Sequence, residues 1–383
     1  MADSPDALSV HKRLRGKITT ALKDIVDTPE KLSIYYTPGV GDVSCYLAEH
    51  PEQTRDYTNT NNNVAIISDG SAVLGLGNIG PEAALPVMEG KAMLFKSFAD
   101  VDGIPIVLST QDVDAIVATA IAIAPSFGGI NIEDIKAPQC FEVEARLKAA
   151  LDIPVFHDDQ HGTAIVVLAG LINACKLTNR ELGNTKVTVA GVGAAGVAII
   201  KLLNVYAPSV MITAVDSRGI VSSERTDLNP TKQMLVDDGL VVGDRGGDIA
   251  RALEGSDIFI GVAKPGLVDQ DMVRSMNDNP IVFAMSNPVP EIMPDEAASA
   301  GAAVVATGRS DFPNQINNAL VFPGIFRGAL DNRVNAITDD HKIAAAEAVA
   351  KLVDDISADQ IIPSIFDERL VPTISKRITP PAE

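Results

Sequence analysis

Between Lys186 and Thr307 the apolar residues come in short, nearly continuous runs: KVTVA, VMITAVD, DIFIGVA, PIVFAMSNP and AVVATG. The intervals between them are long enough for crossover helices. The pattern therefore predicts a parallel sheet buried on both faces, in a doubly wound α/β domain. Periodicity alone does not separate such a strand from a piece of buried helix, but the β-branched content and the flanking Gly, Asp and Pro favour strands. The first 155 residues read differently. Turn-rich stretches, YYTPGVGD and SDGSAVLGLGNIGPEAALP, interrupt fewer and longer helical patterns such as QDVDAIVATAIAIA. They predict a mainly helical domain over 1–155 that carries its chemistry on loops. Residues 156–383 would form the sheet domain, closed by a helix (DHKIAAAEAVAKLVDDI) and a Pro-containing tail.

Composition narrows the function classes. A chain of 383 residues with 46% hydrophobic residues can build two domains with real cores. The formal charge of -19 sets up a field that repels phosphate backbones, so nucleic acid is not an expected partner and any nucleotide must be held locally. Cys45, Cys140 and Cys175 are too few and too far apart for a disulfide framework or a zinc cluster. Reduced thiols in the cytoplasm are the simplest expectation. No leader-like apolar segment and no run of about 18 apolar residues is present, so no membrane partner is expected.

Gly191-Val192-Gly193-Ala194-Ala195-Gly196 follows one predicted strand and opens the helical run VAIIKLLNVYA. In that setting the glycines allow a tight turn and close approach of a pyrophosphate to a helix N-terminus, which makes the fold Rossmann-like. A glycine turn that merely packs a helix on a sheet is the alternative. Asp216 lies 20 residues past Gly196, at the end of the next strand, where a carboxylate bonds ribose hydroxyls. Asp216 would repel a 2′-phosphate, whereas Ser217 and Arg218 would accept one, so NAD and NADP both stay open.

Two acidic pairs stand out. Glu133 and Asp134 lie between apolar residues in IEDI, and Asp158 and Asp159 follow the apolar run VFH. Carboxylates from two neighbouring strand ends suit Mg2+ or Mn2+, while a pair of helix N-caps is an equal reading of the aspartates. His157 and His161 have no Cys or third His at zinc spacing. Lys91, at the head of a helical segment after a Gly/Pro-rich loop, is a candidate general base if desolvated and otherwise an ordinary surface charge. Tyr36 in a rigid turn reads alone as a packed aromatic. Asn287 at a strand end, and Asn317 and Asn318 before ALVFPG, suit carboxylate anchoring or simple turns.

Together these segments resemble the malic enzyme family in its short microbial form. The matching stretches are YTPGV at 36–40, SDGSAVLGLGNIGPEAALPVMEGKAMLFK at 68–96, NIEDI at 131–135, FHDDQHGTA at 156–164, GVGAAG at 191–196, SNP at 286–288 and NNALVFPG at 317–324. The resemblance implies oxidative decarboxylation of L-malate to pyruvate and CO2 with NADP or NAD and Mg2+ or Mn2+. It implies that Tyr36 is the acid that protonates the enolpyruvate carbon and Lys91 the base toward the malate hydroxyl. Glu133, Asp134 and Asp159 would be metal ligands. Asp158 would be a neighbouring acid, either supporting the ligands or carrying a proton. Asn287 and Asn318 would contact substrate carboxylates, with Asn287 and Asn317 also near the cofactor. Ser217-Arg218 resembles NADP-using relatives. The family is oligomeric, so a homodimer or higher homo-oligomer built on the N-terminal helices is expected. The rival expectations are a malolactic-type or oxaloacetate decarboxylase and a non-catalytic dinucleotide sensor.

Overall fold

The computed structural model describes residues 6–73, 75–243 and 246–381. The predicted apolar runs form the larger of two sheets: β5 (Lys186–Ala190), β6 (Met211–Asp216), β8 (Ile258–Gly261), β9 (Ile281–Ala284) and β10 (Val304–Thr307), with the short β7 (Gly219–Ile220) at one edge. The strand order is β10-β9-β8-β5-β6-β7, parallel throughout except for β7, which turns back on β6. Strands β8 and β9 are buried at every position, as near-continuous apolar runs require when helices cover both faces.

The N-terminal half adds a second parallel sheet to its helices: β1 (Asn63–Ser68), β2 (Asp102–Val107), β3 (Gly129–Ile132) and β4 (Val155–His157), in the order β2-β1-β3-β4. It has its own apolar layer, in which Ile116, Val117 and Ala120 of the helix Val113–Ile123 meet Ile67, Ile130 and Ile132.

The helix Asp158–Leu177 joins the halves. It starts directly after β4, and residues 164–171 are all buried, so it is apolar around its whole circumference and not on one stripe. One core therefore runs from Val64 and Ile66 of β1 through this helix to Val187, Val189, Ile258 and Phe283 of the larger sheet. Each fully buried Val, Leu or Ile contributes on the order of 1.5–3 kcal/mol. The helices Phe322–Asp331 and Asp339–Ala350 bring the C-terminal region back onto that core. Among the described residues no helix is long and apolar enough to cross a membrane.

Candidate active site

The glycine turn has the shape its chemistry needs. Gly191, directly after β5, has φ +100°, and a Cβ there would lie 2.4 Å from the Val262 carbonyl oxygen. A Cβ on Gly196 would lie 1.8 Å from the Gly191 carbonyl oxygen, so only glycine lets the helix Ala194–Tyr206 approach the strand this closely. Two cavities meet at this turn and share Gly193 and Ala263. One, of about 700 Å³, is lined by Gly191, Gly193, Asp216, Ser217, Arg218 and Lys232. The other, of about 710 Å³, takes in Gly193, Ala194 and Ala195 and continues to Lys91, Glu133, Asp134, Asp159, Asn287, Asn317 and Asn318.

Asp216 is not a free carboxylate. Its Oδ1 accepts from Arg225 Nη1 at 2.7 Å and from the Arg218 backbone N–H at 2.9 Å, and its Oδ2 accepts from Lys232 Nζ at 2.5 Å. Burial pushes its pKa up, but the bonds from Arg225 and Lys232 outweigh burial and hold it below the usual range. Its charge is balanced inside the protein. The Arg218 side chain is largely exposed and reaches Asp227 at 2.7 Å. Arg225 and Lys232 escaped the sequence reading because they lie 9 and 16 residues beyond Asp216, in segments with no motif of their own.

In the second cavity Lys91 projects from the helix Pro81–Ala99 and is only 7% exposed. Its Nζ lies 3.0 Å from Glu133 Oε1, makes a closer contact with Asp158 Oδ2, and sits 4.0 Å from the centroid of the Phe322 ring. Burial disfavours the ammonium, but the charges of Asp158 and Glu133 outweigh it and hold Lys91 above the ordinary lysine value. Burial raises Asp158 to about 7 in spite of that neighbour. Lys91 is thus a desolvated group and not a surface charge, yet it is an ammonium in this arrangement and needs Asp158 or Glu133 to receive its proton before it can act as a base.

Glu133, Asp134 and Asp159 border the same cavity as Lys91. Asn131 Nδ2 donates to Glu133 Oε2 at 2.7 Å, and the Asp134 backbone N–H donates to Asp159 Oδ2 at 2.8 Å. Asp134 has φ +54°, an unusual conformation for a residue with a side chain. Burial, followed by the charges of Asp159 and Glu133, pushes Asp134 well above the usual carboxylate range. Burial also raises Glu133 and Asp159, and the charge of Lys91 pulls both back part of the way. Among the described residues no three His, Cys, Asp or Glu side chains stand in closed metal-ligand geometry. The donor set nevertheless fits a hard divalent cation: the buried Glu133 and Asp134 and the partly exposed Asp159 border one cavity, and Asp134 Oδ2 has no hydrogen-bond partner among the described residues. Asp158 and Asp159 are the first two residues of a helix whose N-cap is His157, so neither caps it, and Oδ2 of each is bound across the fold.

His157 is fully buried, lies 3.8 Å from Asp159, and is pulled down to about 4 by burial. His161 faces away and bonds Glu144 at 2.8 Å. Asn287 Nδ2 lies 3.5 Å from the Met285 carbonyl oxygen, and Asn317 Oδ1 accepts from the Ala319 N–H at 2.8 Å, so Asn317 also caps a turn.

Tyr36 is the exception. It follows the helix Pro29–Tyr35, is 67% exposed, and is not among the residues that line the Lys91 cavity. A single chain does not bring the phenol to the lysine. Leu22, Ile25, Ile34 and Tyr35 of the same N-terminal segment are also exposed.

The two halves match known sequence families in the order the geometry implies. Residues 15–148 match "Malic enzyme, N-terminal domain", and residues 160–379 match "Malic enzyme, NAD binding domain". The chain is 52% identical over 377 residues to a bifunctional malic/malolactic enzyme of Bacillus subtilis, covering 97% of this chain and 91% of that protein. It is 44% identical over 391 residues to an NADP-dependent malic enzyme of Halomonas elongata, covering 97% and 92%. The crystal structure of an NAD-dependent malic enzyme from Thermotoga maritima superposes with a TM-score of 0.94 at 47% identity, covering 98% of this chain and 99% of that one. With both domains matched in sequence and fold around one shared cavity, the chain belongs to the malic enzyme family.

Proposed function

We propose that this protein oxidises L-malate and decarboxylates the product to pyruvate and CO2, passing hydride to a nicotinamide dinucleotide beside Mg2+ or Mn2+. One observation carries the proposal: the buried Lys91–Asp158–Glu133 group shares a cavity with Asp134, Asp159, Asn287 and Asn318, and that cavity opens onto the GVGAAG turn. The cavity lies where residues 1–155 meet 156–383, the division we propose for the two domains.

Each side chain has a task. Glu133, Asp134 and Asp159 would hold the cation, which when bound supplies Lewis-acid stabilisation of negative charge developing on the substrate oxygen. Asn287 and Asn318 anchor the carboxylates of malate with their amides, and Asn317 faces the nicotinamide side. Asp158 takes the proton of the Lys91 ammonium, leaving an amine that accepts the malate hydroxyl proton as hydride departs. After CO2 leaves, a phenol must protonate C3 of the enolpyruvate. Tyr36 is assigned that role from a second copy of the chain, because in its own chain it stands exposed, in a segment rich in exposed apolar residues, and off the cavity wall. The working unit is then a homodimer formed through the N-terminal segment.

NADP is the preferred dinucleotide in this reading. Asp216 would repel a 2′-phosphate if it were free, but Arg225 and Lys232 neutralise it. Arg218, Ser217 and Lys232 then present donors to the same cavity. The free thiols of Cys45, Cys140 and Cys175 fit a reducing compartment, and we assign the enzyme to the cytoplasm. The test is absorbance at the reduced-nicotinamide band with L-malate, Mn2+ and either NADP or NAD. Reduction with both pyruvate and CO2 as products supports the reading. Lactate without accumulation of reduced dinucleotide would move the chain to a malolactic activity.

A further inference from the structure

Glu291 is fully buried and, among the described residues, pairs with no cation. A buried carboxylate without a counter-charge is costly, and an apolar or amide side chain would be cheaper if the position served packing alone. Both of its oxygens are used. Oε1 accepts the Ala263 backbone N–H at 2.8 Å, and Oε2 accepts the Ser286 backbone N–H at 3.0 Å. Burial raises its pKa, and those two N–H groups oppose the rise.

The two amides belong to different loops. Ala263 follows β8, and Ser286 follows β9, at the carboxyl ends of adjacent strands where doubly wound sheets bind their ligands. Ala263 borders both cavities, and Ser286 and Asn287 border the one that holds Lys91. The chain around Glu291 strengthens the link: Gly266 N–H bonds the Pro290 carbonyl at 3.1 Å, and Val268 N–H bonds the Glu291 carbonyl at 3.0 Å. Space for the carboxylate is reserved by Gly261, where a Cβ would lie 2.5 Å from Glu291 Cδ. A glutamine offers one acceptor oxygen where two are needed and turns an N–H donor toward one of the amides.

We propose that Glu291 is a positioning residue: its carboxylate bridges the loops after β8 and β9, fixing the backbone at Ala263 against the dinucleotide and at Ser286 so that Asn287 faces the substrate. This rests on the reading of the cavities as dinucleotide and malate sites. It makes Glu291 necessary for ligand binding without touching either ligand.

The experiment compares Glu291→Gln, Gly261→Ala and a control, Val282→Ala, which thins the buried core of β9 away from the cavities. Melting temperature, the dissociation constant of reduced dinucleotide by nicotinamide fluorescence, and KM for L-malate are measured for each at a temperature where all are folded. Glu291→Gln is expected to weaken reduced dinucleotide and raise KM for malate, each on the order of tenfold, and Gly261→Ala to reproduce this by displacing the carboxylate. Val282→Ala should lose comparable melting temperature and keep both constants within about twofold. If Glu291→Gln and Gly261→Ala lose only melting temperature, as the control does, Glu291 is a packing element and the proposal is overturned. If the unmutated protein itself fails to bind reduced dinucleotide, the functional reading fails first and the proposal with it.

Discussion

Lys91 Nζ lies 3.0 Å from Glu133 Oε1, so the group assigned to proton transfer is ion-paired with a group assigned to hold the cation. Both are buried, which leaves little solvent screening between them. A cation captured by Glu133 would compete for the carboxylate that holds the ammonium, so metal capture and release of the lysine proton are linked.

Asp134→Asn should weaken Mn2+ binding at least tenfold, read by titration calorimetry, with far-ultraviolet circular dichroism unchanged. The unmutated protein should melt higher in Mn2+, because a ligand at about 100 times its Kd stabilises by about 2.7 kcal/mol. Full turnover by EDTA-treated protein, or equal Mn2+ affinity in the variant, would remove the three carboxylates from the metal role.

The same residue sets a pH dependence. Burial and the charges of Asp159 and Glu133 raise Asp134 above its ordinary value of 3.8, so the folded protein binds more protons here than the unfolded chain. Stability from this group is full below about pH 4 and is lost as pH rises through the raised folded value. In EDTA, Asp134→Asn should therefore gain melting temperature relative to the unmutated protein as pH goes from 5 to 8. In Mn2+ the order should reverse. A difference between the two proteins that does not change with pH in EDTA would contradict the strained-carboxylate account.

Tyr36 and Lys91 are expected to meet across a dimer, and mixing tests this. Tyr36→Phe and Lys91→Ala should each lack turnover, and equal amounts left to exchange subunits should recover about a quarter of normal activity. Half of the dimers are then mixed, and each holds one intact site. No recovery after demonstrated exchange would place the tyrosine in its own chain's site or remove it from catalysis.

Arg218→Ala should lower kcat/KM with NADP about tenfold or more and leave NAD nearly unchanged, since a charge-assisted contact to the 2′-phosphate is lost. Equal loss with both dinucleotides would mean that Arg218 acts on the fold of the cavity and not on the phosphate.

The two domains differed in how much the sequence disclosed. The strands β5, β6, β8, β9 and β10 were legible because burial on both faces writes itself as unbroken apolar runs. In the smaller sheet only the strand ends before the two acidic pairs were legible, and the sheet as a whole was not, because β4 is only the three residues VFH and β2 carries Gly103 and Pro105 in its interior. Glu133, Asp134 and Asp159 were legible as residue types, but the odd backbone of Asp134 is a tertiary fact. Asp158 is legible as an acid beside the other carboxylates, while its contact with Lys91 is a tertiary fact. Arg225, Lys232 and Glu291 act through folding that brings distant segments together, and no local spacing announces them. Tyr36 was legible as a motif residue, while its distance from the Lys91 cavity was not.

The most direct test of oxidative decarboxylation uses L-malate deuterated at C2 and labelled with 13C at C4, followed by NMR with Mn2+ and NADP. The account predicts that the C4 label leaves as CO2 and bicarbonate, that the C2 deuterium appears on the reduced nicotinamide, and that unlabelled pyruvate accumulates. Lactate that retains the deuterium at C2, with no net reduced dinucleotide, would contradict it.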